Sequence, residues 1–97
     1  MTYNQTAYIS SDLFQCDYAV GTTEDGQAIY IWSNIDVDEY TQDMLENPEC
    51  MHGAMVGTID EVKWEIENCV GGFRYHGNEE QQEESAEIVE TLLAGLK

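Results

Sequence analysis

The first basic residue in the chain is Lys63, and twelve carboxylates precede it. Across the sequence 20 Asp and Glu stand against 3 Lys and Arg, a formal net charge of −17. Soluble domains usually intersperse both signs, because uniform charge repels itself and weakens the compact state. Whatever this chain folds into must be held by apolar burial, with few ion pairs to assist. The same field disfavours direct binding to DNA, RNA or an anionic membrane. It favours a positively charged partner, met rapidly and in a salt-sensitive way.

The apolar material is sufficient for a core. Hydrophobic residues make up 42% of the chain and aromatics 10%, which argues against disorder despite the charge. Ninety-seven residues suggest one domain spanning 1–97, with a modest core. No apolar run approaches the ~20 residues of a membrane span. The opening MTYNQTAYISSDLF has neither a basic n-region nor an apolar h-region, so no signal peptide is expected and the cytoplasm is the default location. Cys16, Cys50 and Cys69 are odd in number and fit no disulfide framework; reduced, mostly buried thiols are expected.

The expected class is α+β: a small antiparallel sheet built on a β-hairpin, packed with about three amphipathic helices. The hairpin spans about Cys16 to Ser33. Asp25-Gly26 reads as a two-residue turn, since a type I′ turn needs φ > 0 at both central positions. That closure pairs Val20 with Ile31, Thr22 with Ile29 and Tyr18 with Ser33, and puts Ala19 opposite Trp32 and Gly21 opposite Tyr30. Residues 1–14 allow either a strand or a short helical turn starting at Ser10 or Ser11. A helix is expected from about Asp36 to Glu46, turning Val37, Tyr40 and Met44 inward, and Asn47-Pro48 stops it. Met51 to Val56 allow a strand. Thr58 and Glu61 fit a capping box for a second helix, whose apolar stripe is Ile59, Val62, Ile66, Cys69 and Val70. Gly71-Gly72 is expected to end that helix in the left-handed region, and Phe73 to His76 allow a short edge strand. A third helix, capped by Asn78, runs from about Glu79 to Leu96 with Ser85, Ile88, Val89, Leu92, Leu93 and Leu96 inward.

Two of these helices carry matching carboxylate stripes. Asp36, Glu39, Asp43 and Glu46 fall at offsets i, i+3, i+7 and i+10, and so do Glu80, Glu83, Glu87 and Glu90. Neither stripe contains a Lys or Arg. Each would span roughly 15 Å at ~1.5 Å per residue, a length over which duplex DNA carries about nine phosphates. Two stripes side by side would present eight carboxylates, a charge density of the same order. Like charges at i,i+3 or i,i+4 cost roughly 0.2–0.5 kcal/mol per pair. A solvated helix face is the ordinary reading of such a stripe; the missing cations weigh toward a functional one.

Other chemistries fit poorly. Asn34, Asp36 and Asp38 alternate as in a calcium loop, but the sixth and twelfth positions are Glu39 and Leu45 instead of Gly and Glu. Cys50, His52, Cys69 and His76 match no standard zinc spacing. No P-loop, GxGxxG, HExxH or GxSxG is present. Neither an enzyme nor a cofactor is expected.

In size, charge and mixed α+β pattern, with the two stripes as its supporting residues, the chain resembles the small phage-encoded DNA-mimic anti-CRISPR proteins. The likeness is to those that act on type I-F surveillance complexes, and it rests on no shared motif. The resemblance implies binding in the bacterial host cytoplasm to the basic DNA channel of the complex's large DNA-recognition subunit. Asp36, Glu39, Asp43, Glu46, Glu80, Glu83, Glu87 and Glu90 would then replace phosphates opposite Lys and Arg, blocking target DNA by occupancy. The alternatives are a DNA mimic directed at a restriction, repair or histone-like protein, and an acidic assembly or interaction protein. A further one is adaptation of the surface to high salt, which would unfold the domain at low ionic strength.

Overall fold

The structure is a computed structural model and describes residues 3–33 and 53–96; elements are numbered over those residues. Four strands, β1 (Tyr3–Ser11), β2 (Cys16–Thr23), β3 (Ala28–Ser33) and β4 (Ala54–Gly57), form one antiparallel sheet in the order β1-β2-β3-β4. They are followed by α1 (Ile59–Asn68), a 3-10 turn at Val70–Gly72, the single-turn α2 (Phe73–His76) and α3 (Glu79–Ala94). The described residues are thus α+β, a small antiparallel sheet packed with helices. The expected first acidic helix, with Val37, Tyr40 and Met44, lies outside the described residues, as do Cys50 and His52.

The hairpin forms where expected, but its register is shifted by one residue. Tyr18 pairs with Trp32, Ala19 with Ile31, Val20 with Tyr30 and Gly21 with Ile29. The physical reason is the turn. Thr23 N–H donates to the Gln27 carbonyl (3.0 Å) and Gly26 N–H donates back to the Thr23 carbonyl (3.2 Å). Three residues, Glu24 to Gly26, therefore form the loop, and only Gly26 takes positive φ, at 84°. This is the three-residue hairpin in which a left-handed glycine follows a right-handed turn. The Thr23 side chain fixes it further, bonding the Asp25 carboxylate and accepting from Gln27 N–H.

The register decides what faces the helices. Tyr18, Val20, Ala28 and Tyr30 are buried in one core with Val62 and Ile66 of α1, with Val70, and with Ile88, Val89, Leu92 and Leu96. Ala19, Ile29 and Ile31 fall on the reverse face and are buried as well. α3 packs over β1 and β2, and α1 over β3 and β4.

Of the two readings of the N-terminus, the strand is the one realised. Residues 3–11 are strand, with Thr6 bulged between Gln5 and Ala7. The four residues from Asp12 to Gln15 then turn, and Phe14 N–H donates to Ser11 Oγ at 3.2 Å. Three further expectations need correction. Phe73–His76 is a helical turn and not a strand, held by Phe14 stacking on Phe73 with ring centroids 4.7 Å apart. Gly71 and Gly72 are not left-handed; α1 ends through Cys69 into a 3-10 turn. Cys69 is exposed and Cys16 half-buried, and neither is in a disulfide.

Two capping boxes fix where the helices begin. Thr58 Oγ1 accepts from Glu61 N–H while Thr58 N–H donates to Glu61 Oε1, both at 3.1 Å. Asn78 and Gln81 do the same for α3, both at 2.9 Å. Ser85, fully buried inside α3, donates to the Val70 carbonyl at 2.6 Å and ties α3 to the 3-10 turn.

Glycine provides a test of this frame. A Cβ on Gly26 would meet nothing within 4 Å, so Gly26→Ala should cost only the left-handed penalty, about 1–2 kcal/mol. At Gly53 (φ 72°) a Cβ would collide with the Trp32 carbonyl oxygen, beside the 2.7 Å bond from Trp32 N–H to the Gly53 carbonyl. Gly53→Ala should therefore lower the urea midpoint clearly more than Gly26→Ala. Equal losses would contradict the close approach of β3 to residue 53.

Candidate functional site

The C-terminal stripe rests on a well-anchored helix. Ile88, Val89 and Leu92 bury one side of α3, and Asn78 caps it. At ~100° per residue, Glu79, Glu80, Glu83, Glu84, Glu87 and Glu90 then fall within an arc of about 140° on the other side. Glu79, Glu80, Glu83, Glu87 and Glu90 are exposed and Glu84 is half-buried. No Lys or Arg occurs in α3. Glu79 and Glu80 sit in the first turn, where the helix dipole favours negative charge. The later carboxylates have no such compensation.

The β1–β2 turn brings an apolar residue to this face. Leu13, itself exposed, lines a shallow pocket of about 300 Å³ with Glu80, Glu83, Glu84 and Glu87. Sequence reading missed Leu13, because nothing in the 12–15 segment signals its proximity to residues 80–87. The N-terminal stripe, Asp36, Glu39, Asp43 and Glu46, lies outside the described residues.

The described cations do not neutralise α3. Arg74 donates through Nε to the Gly71 carbonyl at 3.1 Å, and its guanidinium lies 5.3 Å from the Tyr75 ring centroid. Lys63 belongs to α1.

A second acidic surface surrounds Trp64 on α1. Met55, Asp60, Glu61, Trp64 and Glu65 line a pocket of about 460 Å³. The hydrogen bonds that Glu61 accepts at Thr58, chiefly from the backbone N–H, hold its carboxyl below the usual glutamate range.

Two phenols are buried in the core. Burial, seconded by Cys16, pushes the Tyr18 phenol well above the usual tyrosine range. Burial, seconded by Cys69, does the same for Tyr30. The Tyr30 hydroxyl is enclosed, with no hydrogen-bond partner among the described residues. Although Cys69 is exposed as a residue, desolvation of its sulfur, and next the Glu65 charge, push its thiol above the usual cysteine range. Among the described residues no three His, Cys, Asp or Glu side chains are grouped to hold a metal ion. None of the described helices is long and apolar enough to cross a membrane.

Comparisons of the chain with protein-family models, with curated proteins and with solved structures find no match.

The Glu61 cap makes a pH-dependent prediction. Its folded pKa lies below the ordinary value of 4.5, so its stabilising effect is complete above that value. The effect is lost as pH falls through the lower, folded pKa. Glu61→Gln keeps a capping acceptor without the charge, so its stability deficit relative to the parent should shrink as pH drops below 4.5. An NMR titration of the Glu61 carboxylate should give a midpoint below that ordinary value; an unshifted midpoint would remove the cap from the account.

Proposed function

We propose that this protein is an acidic inhibitor that occupies the duplex-binding site of a basic, nucleic-acid-binding protein. By its resemblance, the target to test is the large DNA-recognition subunit of a bacterial CRISPR surveillance complex. The observation that supports this most is the uncompensated carboxylate face of α3, fixed to a buried core by Ile88, Val89 and Leu92. A solvated face has no need to be free of cations. A surface that must attract Lys and Arg does, because an internal cation would compete with the partner's.

The charge density bears on what α3 would imitate. Residues 79 to 90 span roughly 16 Å of helix, over which one DNA strand carries about five phosphates at 3.4 Å spacing. Six carboxylates on that length correspond to one strand. The second strand would have to come from other acids, the 36–46 stripe among them. Inhibition proceeds by occupancy: the partner's cations bind carboxylates, and target DNA is excluded. No bond is made or broken.

The test separates fold from function on one residue. Glu83 has Glu79 and Glu87 four residues away on either side and Glu80 three before it. Glu83→Lys turns three repulsions of roughly 0.2–0.5 kcal/mol each into attractions, so Tm at low salt should rise or hold. Binding to the CRISPR complex, and the ability to displace a labelled duplex from it, should fall, with the parent's affinity dropping steeply as salt is added. If duplex and protein bind the complex together without mutual loss, mimicry is excluded. If Glu83→Lys and Glu87→Lys together leave displacement unchanged, the α3 face is not the site.

A further inference from the structure

Trp64 is 64% exposed although it lies in the middle of α1. The inward side of that helix is filled by Val62 and Ile66, both fully buried. Residue 64 is two positions from each, about 200° around the helix, so the indole is directed away from the core. Asp60 and Glu61, four and three residues earlier, share its face, and Glu65 flanks it. Met55 of β4 also lines the ~460 Å³ pocket, and no cation is among its described lining residues. Glu61 is bonded through Oε1 to Thr58 N–H, so its carboxylate is held at the rim.

The chemistry of this pocket narrows its occupant. Three carboxylates repel phosphate, nucleotide and any other anion. An apolar ligand would have to desolvate those carboxylates with nothing to pair them. A hydrated metal ion would gain nothing from indole and thioether walls. A planar guanidinium meets every requirement. Its face stacks on an aromatic ring, its fork of N–H donors matches carboxylates, and it sheds water more readily than an ammonium. Lysine, a compact and strongly hydrated charge, uses the ring less well.

We propose that the Trp64 pocket binds an arginine side chain of a basic protein partner, stacking the guanidinium on the indole and pairing it with Asp60 and Glu65. The partner's charge rests on the function proposed above, but the pocket is a separate contact from the α3 face. It adds an apolar anchor that phosphate imitation alone does not supply.

The pocket can be tested without the partner. The chain has two tryptophans, so Trp32→Phe leaves Trp64 as the only reporter. Titration with a capped Gly-Arg-Gly peptide should change Trp64 emission saturably, with a Kd on the order of millimolar. The citrulline peptide, isosteric but uncharged, should bind about tenfold more weakly or not at all, and the lysine peptide in between. Asp60→Asn with Glu65→Gln should weaken the arginine peptide severalfold. Should Trp32→Phe disturb the sheet, the indole N–H resonance of Trp64 in the unmodified chain gives the same reading, assigned by its loss in Trp64→Phe. A response that does not saturate, or that citrulline reproduces, overturns the assignment. Arginine binding without duplex competition would leave the pocket standing and remove the mimic; duplex competition without arginine binding would do the reverse.

Discussion

The β2–β3 register determines the positions of the other parts of the molecule. Side chains alternate along a strand, so moving the pairing by one residue sends every one of them to the opposite face. With Thr23 closing on Gln27, Tyr18, Val20 and Tyr30 lie under the helices and Ala19, Ile29 and Ile31 lie behind. Tyr30 and Trp32, two apart on β3, share that face with ring centroids 4.8 Å apart, and Val62, Ile66, Ile88 and Leu92 of the helices pack into the same core. A one-residue slip would put isoleucine where tyrosine now sits and change the height at which both helices dock. The orientation of the acidic faces follows from that docking, because each helix is fixed by its buried side.

The charge distribution is a cost that the core must absorb. Neighbouring carboxylates on a helix are roughly 5–6 Å apart, within the ~8 Å screening length at physiological ionic strength, so salt relieves their repulsion only in part. What keeps α3 folded is local and apolar: the Asn78–Gln81 box, the dipole-compatible Glu79 and Glu80, the buried Ser85 bond to Val70, and Ile88, Val89 and Leu92. Apart from Glu79 and Glu80 in the first turn, none of these involves the outer carboxylates. Their positions are consequently determined by the core, and their identities are free to answer to something outside the chain.

Much of this frame was legible in the sequence, and the misses share a cause. The caps at Thr58 and Asn78 were readable because a capping box is a local chemical pattern. The inward and outward faces of α3 were readable because its periodicity is unbroken over four turns. The hairpin was readable but its register was not. Asp25-Gly26 is compatible with a two- or a three-residue loop, and the strands are apolar on both faces, so the pattern could not choose between them. Phe73–His76 has no periodicity at four residues, and Phe73 packs on Phe14, which is remote in sequence. Cys69 extends the apolar stripe of α1 on paper, but the helix ends before it. Trp64 was legible in principle, since it falls off that stripe. An aromatic residue on the polar side of an amphipathic helix is a signal in its own right.

In the function proposed, the two acidic surfaces would make different physical contributions to recognition. The α3 face carries repeated charge with little apolar surface beside it apart from Leu13. Such a surface acts at range: it raises the rate of encounter and loses influence as salt is added. The Trp64 pocket combines few charges with an indole and a thioether. A contact of that kind acts only once water is displaced, so it governs dissociation and is less sensitive to salt. A DNA backbone offers only the first kind of surface. An inhibitor that had to outlast DNA on a shared basic site, and not merely arrive there, would require the second.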